Sequence, residues 1–393
     1  MNASKTKLGI IGTAGVPANY GGFETLAQHL VLQLNRQLDI TVYSSSKYYP
    51  EEERIDEWHG ARIQYIPLNA NGIQSVLYDI ISMIHAIFCC DVLLVLGVSG
   101  GIFFPFVRLF TTKRLIVNVD GLEWRRNKWN VLAKWFLVIS EQIAVRTADE
   151  VVADNAAIQK YVWEHYGIRA QLIEYGGDHN QKVSIREEDA KAYPFLNAPY
   201  AFGVARIEPE NNIHLLLEAF RAHRDLPLVI VGNWNRSDYG RQLRRQYAGC
   251  ENIHILDPIY EPSHLNLLRS NAKVYLHGHS AGGTNPSLVE AMYLGLPILS
   301  YDVIYNRITT EHKAMYFTDT MDLQLQLIKL SSADLHNCSL AMQRIARRRY
   351  RWSVIANKYC KLVQNEAPQL MPIFDFELPH SLQKSPFRMA LRA

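Results

Sequence analysis

The sequence predicts an α/β protein built from two doubly wound units, each a parallel sheet wound with helices. Three observations predict it: short apolar runs recur along the chain, longer amphipathic stretches separate them, and the series stops once and restarts near the middle. At 393 residues the chain also exceeds what one hydrophobic core usually holds, so two domains are expected.

In the first half, strands are expected at Leu8 to Ile11, Ile40 to Tyr43, Ile63 to Ile66, Val92 to Leu96, Leu115 to Val119 and Glu150 to Ala153, with helices between them. The Gly176-Gly177 pair and the polar run through Lys191 read as a linker and hinge. A second series follows, at Tyr200 to Val204, Leu228 to Val231, Ile253 to Leu256, Val274 to Leu276 and Pro297 to Ser300. Each half is then a Rossmann-like unit, residues 1–175 and 176–350, and a ligand is expected in a cleft between them, outside the carboxyl ends of the strands. A last helix is expected near 353–365, after the basic stretch Arg344 to Arg351; the proline-bearing remainder, 366–393, reads as an extended tail.

Composition excludes several classes. Hydrophobic residues at 48% and charged residues at 20% describe a globular protein with ample core, and a net charge of +3 is too small to imply nucleic acid. Five cysteines without metal-ligand spacing point to a reduced, cytoplasmic protein. Neither a secretory signal nor a run of about 20 apolar residues is expected. The most apolar stretch, Ile73 to Phe110, is broken by Asp79, His85, Asp91 and Gly100-Gly101 and reads as helix, strand, helix. Its second helix, Gly101 to Leu109 with Arg108 and the following Lys113 and Arg114, suits either a buried crossover, the favoured reading, or a peripheral contact with a bilayer.

Gly283 to Leu299, GTNPSLVEAMYLGLPIL, carries the sharpest chemistry. Gly283 and Thr284 lead to Asn285, a capping residue; Pro286 suits the first helical turn, and the N–H groups around Ser287 and Leu288 favour an anion such as a diphosphate. Glu290 projects from the same helix toward whatever carries the phosphate, and the Gly in LGLPIL ends the helix before an apolar strand. An ordinary crossover with Glu290 solvated is the plainer alternative.

This segment resembles the donor-binding signature of the retaining, glycogen-synthase-like glycosyltransferases of the GT-B fold, two Rossmann-like domains facing across a cleft. The resemblance implies that Glu290, the second glutamate of an E-x7-E pattern, holds the nucleotide ribose; Gly282 stands where the first would fall. The longer run from His277 to Met292 resembles a subgroup of bacterial rhamnosyltransferases that build capsule and O-antigen chains. In the same family an R-x4-K segment neutralises the leaving diphosphate. VARIEPENN supplies Arg206 for the Arg but Asn211 for the Lys, so Arg206 is expected to carry more of that charge.

Two loops of the first half complete the candidate site. In IGTAGVPANYGGFETLAQHL, after the first strand, Gly21 and Gly22 let backbone approach a ligand at a helix start, with Tyr20 beside them on the acceptor side. These glycines do not form a clean G-x-G-x-x-G and no acid ends the second strand, so a nicotinamide enzyme is the weaker reading. In DGLEWRRNKWN, after the fifth strand, Asp120 is the candidate catalytic acid, while Glu123, Trp124 and Arg125 offer a carboxylate, an aromatic plate and a cation to an acceptor sugar. Arg126 and Lys128, taken singly, read as solvated charges. Related enzymes usually carry a His-containing motif where Asp120-Gly121 stands.

The resemblance implies a hexosyltransferase that moves a sugar, rhamnose from dTDP-rhamnose, with retention onto a lipid-linked glycan at the inner face of the cell membrane. No cofactor or metal is expected, because helix dipoles and arginine serve the leaving diphosphate. A nucleotide-sugar epimerase and a non-catalytic sugar-nucleotide-binding subunit are the alternatives from other classes.

Overall fold

The computed structural model describes residues 5–18, 21–126 and 129–366, together with Glu377 and Gln383. Tyr20, Lys128 and nearly all of the expected tail lie outside the described residues. The chain divides into two compact units: one runs to Tyr175 and takes in the chain from Trp352 on, and the other is Gly176–Arg351.

In the first unit the chain runs β1 (Lys7–Ile11), α1 (Gly22–Leu34), β2 (Asp39–Ser45), β3 (Glu57–Trp58), β4 (Ala61–Ile66), α2 (Gln74–Cys89), β5 (Val92–Leu96), α3 (Phe104–Phe110), β6 (Arg114–Asn118), α4 (Val131–Thr147), β7 (Glu150–Ala153), α5 (Ala156–Tyr166) and β8 (Gln171–Leu172). The sheet order is β3-β4-β2-β1-β5-β6-β7-β8, parallel throughout except for β3, which pairs antiparallel with β4. β1 lies between β2 and β5, with Ile10 opposite Val42 on one side and Leu94 on the other. Strand order therefore reverses between β1 and β5, and the loops leaving their carboxyl ends flank a crevice of the kind that binds ligands in doubly wound sheets.

Apolar spacing explains which face each helix covers. α1 buries Leu26, Ala27, Leu30, Val31 and Leu34, a stripe at helical period, against Leu8 and Ile10 of β1. β5, VLLVL, is buried at every position, as a strand covered on both faces must be. Right-handed crossovers put α1 on one face and α2, α3 and α4 on the other. Gly9 of β1 shows this second face: a Cβ there would lie 3.6 Å from the Ala86 Cβ of α2.

The second unit runs α6 (Glu187–Ala192), β9 (Ala201–Val204), α7 (Ile213–Ala222), β10 (Leu228–Val231), α8 (Asp238–Tyr247), β11 (Ile253–Leu256), α9 (Pro262–Ser270), β12 (Val274–His277), α10 (Pro286–Tyr293), β13 (Ile298–Tyr301), α11 (Ile304–Thr309), β14 (Met315–Phe317), α12 (Thr320–Lys329) and α13 (Ser332–Arg349). Its parallel strands are ordered β11-β10-β9-β12-β13-β14, so the reversal falls between β9 and β12. One apolar layer packs α7, α8 and α12 beneath the sheet, and a second packs α9, α10 and α13 above it.

α14 (Trp352–Val363) belongs to the first unit and packs beside α1. The Trp352 indole stacks on the His29 ring with centroids 4.2 Å apart, and Tyr359 receives a buried 2.9 Å hydrogen bond from Asn118 Nδ2. Lys358 adds a 3.1 Å ion pair to Glu174, beyond β8.

Candidate functional site

In the second unit, the loops after β9 and β12 are tied into one assembly at the strand-order reversal. Asn212 Nδ2 donates to the Gly278 carbonyl at 3.0 Å, and Ser280 donates to the Glu210 carbonyl through its backbone N–H at 2.9 Å and its hydroxyl at 2.8 Å. Gly278 permits this approach: a Cβ would meet the Asn211 carbonyl oxygen at 2.3 Å. Arg206 stands on the first of these loops, 41% exposed at its side chain, with Glu208 3.9 Å away. Asn211 departs from its expected role on the donor. Its side chain is buried and donates to the Arg206 carbonyl at 2.7 Å, so it shapes the loop from within and presents nothing to a diphosphate.

The second loop passes Gly282, which has a left-handed φ of 118°, then Gly283 and the buried Thr284, and enters α10 at Asn285. The Asn285 side chain accepts from the Ser287 N–H at 3.1 Å and the Ser287 hydroxyl at 2.8 Å, while its carbonyl accepts from the Leu288 and Val289 N–H groups. The cap is as the sequence predicts. Pro286 brings no N–H, so an incoming phosphate meets the positive end of the helix dipole and competes with Asn285 for the first N–H groups. Leu288 itself is fully buried and offers backbone alone. Gly295, at φ 74°, ends the helix and turns the chain into β13.

Glu290 lies one turn inside α10 and is far from solvated. Its Oε2 receives the Arg269 guanidinium and its Oε1 lies 3.3 Å from His179 Nε2. Arg269, on α9 and 1% exposed, also donates to Asn180 Oδ1 at 2.6 Å and Asn266 Oδ1 at 2.8 Å. Burial acts to raise the Glu290 pKa, but the Arg269 charge and then His179 outweigh it and hold the carboxyl at about 2. The result is a carboxylate ionised at neutral pH, 15% exposed, fixed in place by a chain of four polar partners. Sequence reasoning found Glu290 and missed Arg269, His179, Asn180 and Asn266. Arg269 lies in the last turn of α9, PSHLNLLRS, with no motif around it, and only its burial reveals its role.

Below the loops, polar atoms remain to be satisfied. Both ring nitrogens of His277 and the Glu210 Oε1 are buried without a hydrogen-bond partner. Burial lowers the His277 pKa to about 3, so its ring is neutral, and it stacks on His279 with centroids 4.3 Å apart.

The first unit carries the other candidates. Gly21 has φ 88° and caps α1, whose first residue is Gly22. Glu24, in the first turn, is buried and its Oε1 accepts from the Ala14 N–H at 2.6 Å and the Thr13 hydroxyl at 3.2 Å. The loop after β1 is thus clamped by a carboxylate that the sequence did not mark. Across the crevice, Gly12 passes so close to β5 that a Cβ would meet the Leu96 carbonyl at 2.1 Å.

After β6, Asp120 adopts φ 56° and its N–H donates to Asn118 Oδ1 at 3.0 Å, which holds the residue at the strand's carboxyl end. Its side chain is half-buried, and Leu122, two residues on, is also left-handed at φ 60°, so two non-glycine residues in left-handed backbone shape this segment. Trp124 requires a correction. It is 2% exposed and its indole N–H donates to Glu141 Oε2 at 3.2 Å, so it is a core anchor and no plate for an acceptor sugar. Glu141 also accepts from Tyr161 at 2.9 Å and Tyr166 at 2.6 Å; burial raises it to about 7 against these bonds. Glu123 faces Arg126 at 2.8 Å and Trp129 Nε1 at 3.0 Å, and Arg125 between them is half-buried. Among the described residues no group of three or more His, Cys, Asp or Glu is placed to hold a metal ion.

Two sheets, parallel but for β3 and each with a single reversal point, one of them with a buried carboxylate–guanidinium pair at its crevice, define a protein of two Rossmann-like units. Comparison with known proteins refines this. Residues 185–320 match the family model described as "Glycosyl transferases group 1", and residues 5–178 match one described as "Domain of unknown function (DUF1972)". No curated protein matches the chain. Among solved structures, sucrose-phosphate synthase from Thermosynechococcus elongatus is similar with a TM-score of 0.74 at 16% identity, over 92% of this chain and 99% of that one. Anabaena HepE, solved in complex with UDP-glucose, is similar with a TM-score of 0.69 at 14% identity, over 91% and 99%. A putative UDP-N-acetylglucosamine 2-epimerase from Listeria monocytogenes reaches 0.63 at 14% identity, over 93% and 98%. The chain therefore has the GT-B fold, and with the match of its segment 185–320 to the glycosyltransferase group 1 model this supports a glycosyltransferase.

Proposed function

We propose that the protein is a retaining glycosyltransferase of bacterial surface polysaccharide synthesis, capsule or O-antigen, moving rhamnose from dTDP-rhamnose onto a lipid-linked glycan at the cytoplasmic face of the membrane. The observation that carries the donor half of this reading is the Glu290–Arg269 pair. A carboxylate held ionised at about 2 and fixed by a buried guanidinium is preorganised to accept ribose hydroxyls without rearrangement. The HepE structure contains UDP-glucose, which supports a nucleotide-sugar donor here. The rhamnosyl choice rests on the His277 to Met292 resemblance.

In the proposed reaction the acceptor oxygen forms a bond to the donor anomeric carbon while the bond from that carbon to the diphosphate oxygen breaks. The acceptor proton passes to the departing phosphate on the same face, so no protein base is called for. Charge growing on the diphosphate is met by Arg206 and the amino end of α10. Asp120 and Arg125 serve the acceptor. On this account donor turnover persists in a chelator of divalent ions; activity lost in chelator and restored by magnesium or manganese would overturn the metal-free mechanism.

The Listeria neighbour gives the epimerase reading a specific footing, since the same fold bears that name. A panel of nucleoside diphosphate sugars, incubated with and without a lipid-linked acceptor, separates the readings. Nucleoside diphosphate released with dTDP-rhamnose and increased by acceptor supports the proposal; an epimerised sugar without acceptor supports the alternative; binding without turnover supports a sensor.

A further inference from the structure

The helices on the α2 face of the first unit leave an apolar surface uncovered. α2 should turn one face to the sheet and a polar face to water, yet beside the exposed Gln74 and His85 its outward positions are Ile73 just before the helix, then Leu77, Ile81, Ile84 and Phe88, at helical spacing over four turns. Ile73 is 88% exposed and Phe88 83%. α3 continues the pattern with Phe106, Leu109 and Phe110, the last two each 74% exposed. α4, packed beside α3, adds Leu132 at 80%. Apolar side chains exposed on three helices of one sheet face are uncommon on a monomer's surface and mark an interaction face. The favoured expectation for Gly101 to Leu109, a buried crossover helix, is thus corrected: Phe104 and Val107 are buried, and the rest of its apolar side chains point outward.

Charge selects the occupant. The only carboxylates on α2, α3 and α4 are Asp79 and Glu141, and both are buried. Their charged residues that reach solvent are Arg108, 31% exposed at its side chain and paired with Asp149, and the exposed Arg146. An aqueous protein partner is matched by a mixed polar rim; an apolar face whose three helices expose arginine and no carboxylate of their own, Asp149 just beyond α4 pairing with Arg108, suits the boundary of an anionic bilayer. We propose that α2, α3 and α4 dock the protein on an anionic lipid surface, with the leucine and phenylalanine side chains entering the headgroup–acyl boundary. No described helix is long and apolar enough to cross a membrane, so this contact is peripheral. The inference rests on the proposed lipid-linked acceptor for its purpose, though its test does not depend on transfer.

The test is flotation of the full chain with vesicles of phosphatidylcholine alone and with phosphatidylglycerol added. The wild type is expected to float with both and more with the anionic vesicles, the difference shrinking as salt rises. Leu109→Glu/Phe110→Glu on α3 and, separately, Leu77→Glu/Phe88→Glu on α2 should each lower the vesicle-bound fraction at least about tenfold, since each places two charges in an apolar boundary. Both variants should keep the wild-type Tm and nucleotide affinity, which shows that folding and the donor site are intact. Wild-type protein that stays unbound on both vesicles overturns the proposal. So does a wild-type dimer that the α3 variant converts to monomer without any vesicle binding, which would assign the face to a second copy. Loss of donor turnover alone would refute the functional reading and leave vesicle binding to be judged separately.

Discussion

Replacing Glu290 by glutamine separates two roles that the structure combines in one carboxylate. The side chain keeps its shape and loses its charge, so the Arg269 guanidinium stays bonded to Asn180 and Asn266 but is left buried without a counter-ion. A carboxyl lowered from the ordinary 4.5 to about 2 corresponds to about 3 kcal/mol of folding stability at neutral pH. That agrees with the roughly 3–5 kcal/mol expected when one partner of a buried pair is removed. For a unit of this size the melting temperature should fall by about 6–12 °C. The sign with pH follows from the lowered value: the stabilisation is complete above the unfolded glutamate's pKa and is lost as pH falls from 4.5 toward 2. Acid unfolding of the wild type should therefore steepen over that range, and that of Glu290→Gln should be flatter. Donor affinity, measured by nucleotide titration below the melting range, should fall by about 1.5–3 kcal/mol, roughly ten- to 150-fold in Kd, if the carboxylate also holds ribose. Arg269→Met alone and with Glu290→Gln completes a double-mutant cycle. The double variant should recover much of the lost stability and none of the donor affinity. Recovery of both would mean that Glu290 serves only as the counter-ion of Arg269, and unchanged affinity in the folded single variant would refute the ribose contact.

Arg206→Ala should lower kcat more than it raises the donor Kd, because charge on the diphosphate grows toward the transition state; equal losses in steady-state and binding measurements would reduce Arg206 to an anchor. Trp124→Phe removes a donor from buried Glu141 and should cost about 1–3 kcal/mol in denaturant unfolding with no change in acceptor KM; an acceptor KM effect without a stability loss would restore Trp124 to the acceptor site. Gly22→Val at the first residue of α1 should abolish transfer while leaving nucleotide binding by the second unit intact, and normal transfer by this variant would make the Gly21-Gly22 loop a simple turn.

The sheets were legible because parallel strands covered on both faces are written as continuous apolar runs: VLLVL at β5 and LVIV at β10 leave few other readings. The short pairings at β3, β8 and β14 were not, since two or three residues carry no period. Within the site, cap chemistry made Asn285 and the start of α10 readable. What failed was whatever depends on burial. Trp124 and Asn211 have residue types suited to a sugar and a phosphate, but tertiary packing turns both inward. Arg269 has a type that suggests solvent and is among the most buried side chains in the protein. The outward Phe106 and Leu109 of α3 read as part of a buried crossover for the same reason: apolar type predicts burial, and only the fold shows which face was left uncovered.

The central claim is tested most directly by the anomeric configuration of the transferred sugar. The purified chain, dTDP-rhamnose and a lipid-linked acceptor should yield a glycoside whose anomeric carbon, read by NMR coupling constants, keeps the configuration it had in the donor, with one dTDP released per bond formed. A product of inverted configuration would contradict the retaining mechanism. Failure to transfer sugar from any nucleoside diphosphate donor, by protein that still binds nucleotide, would contradict the assignment as a glycosyltransferase.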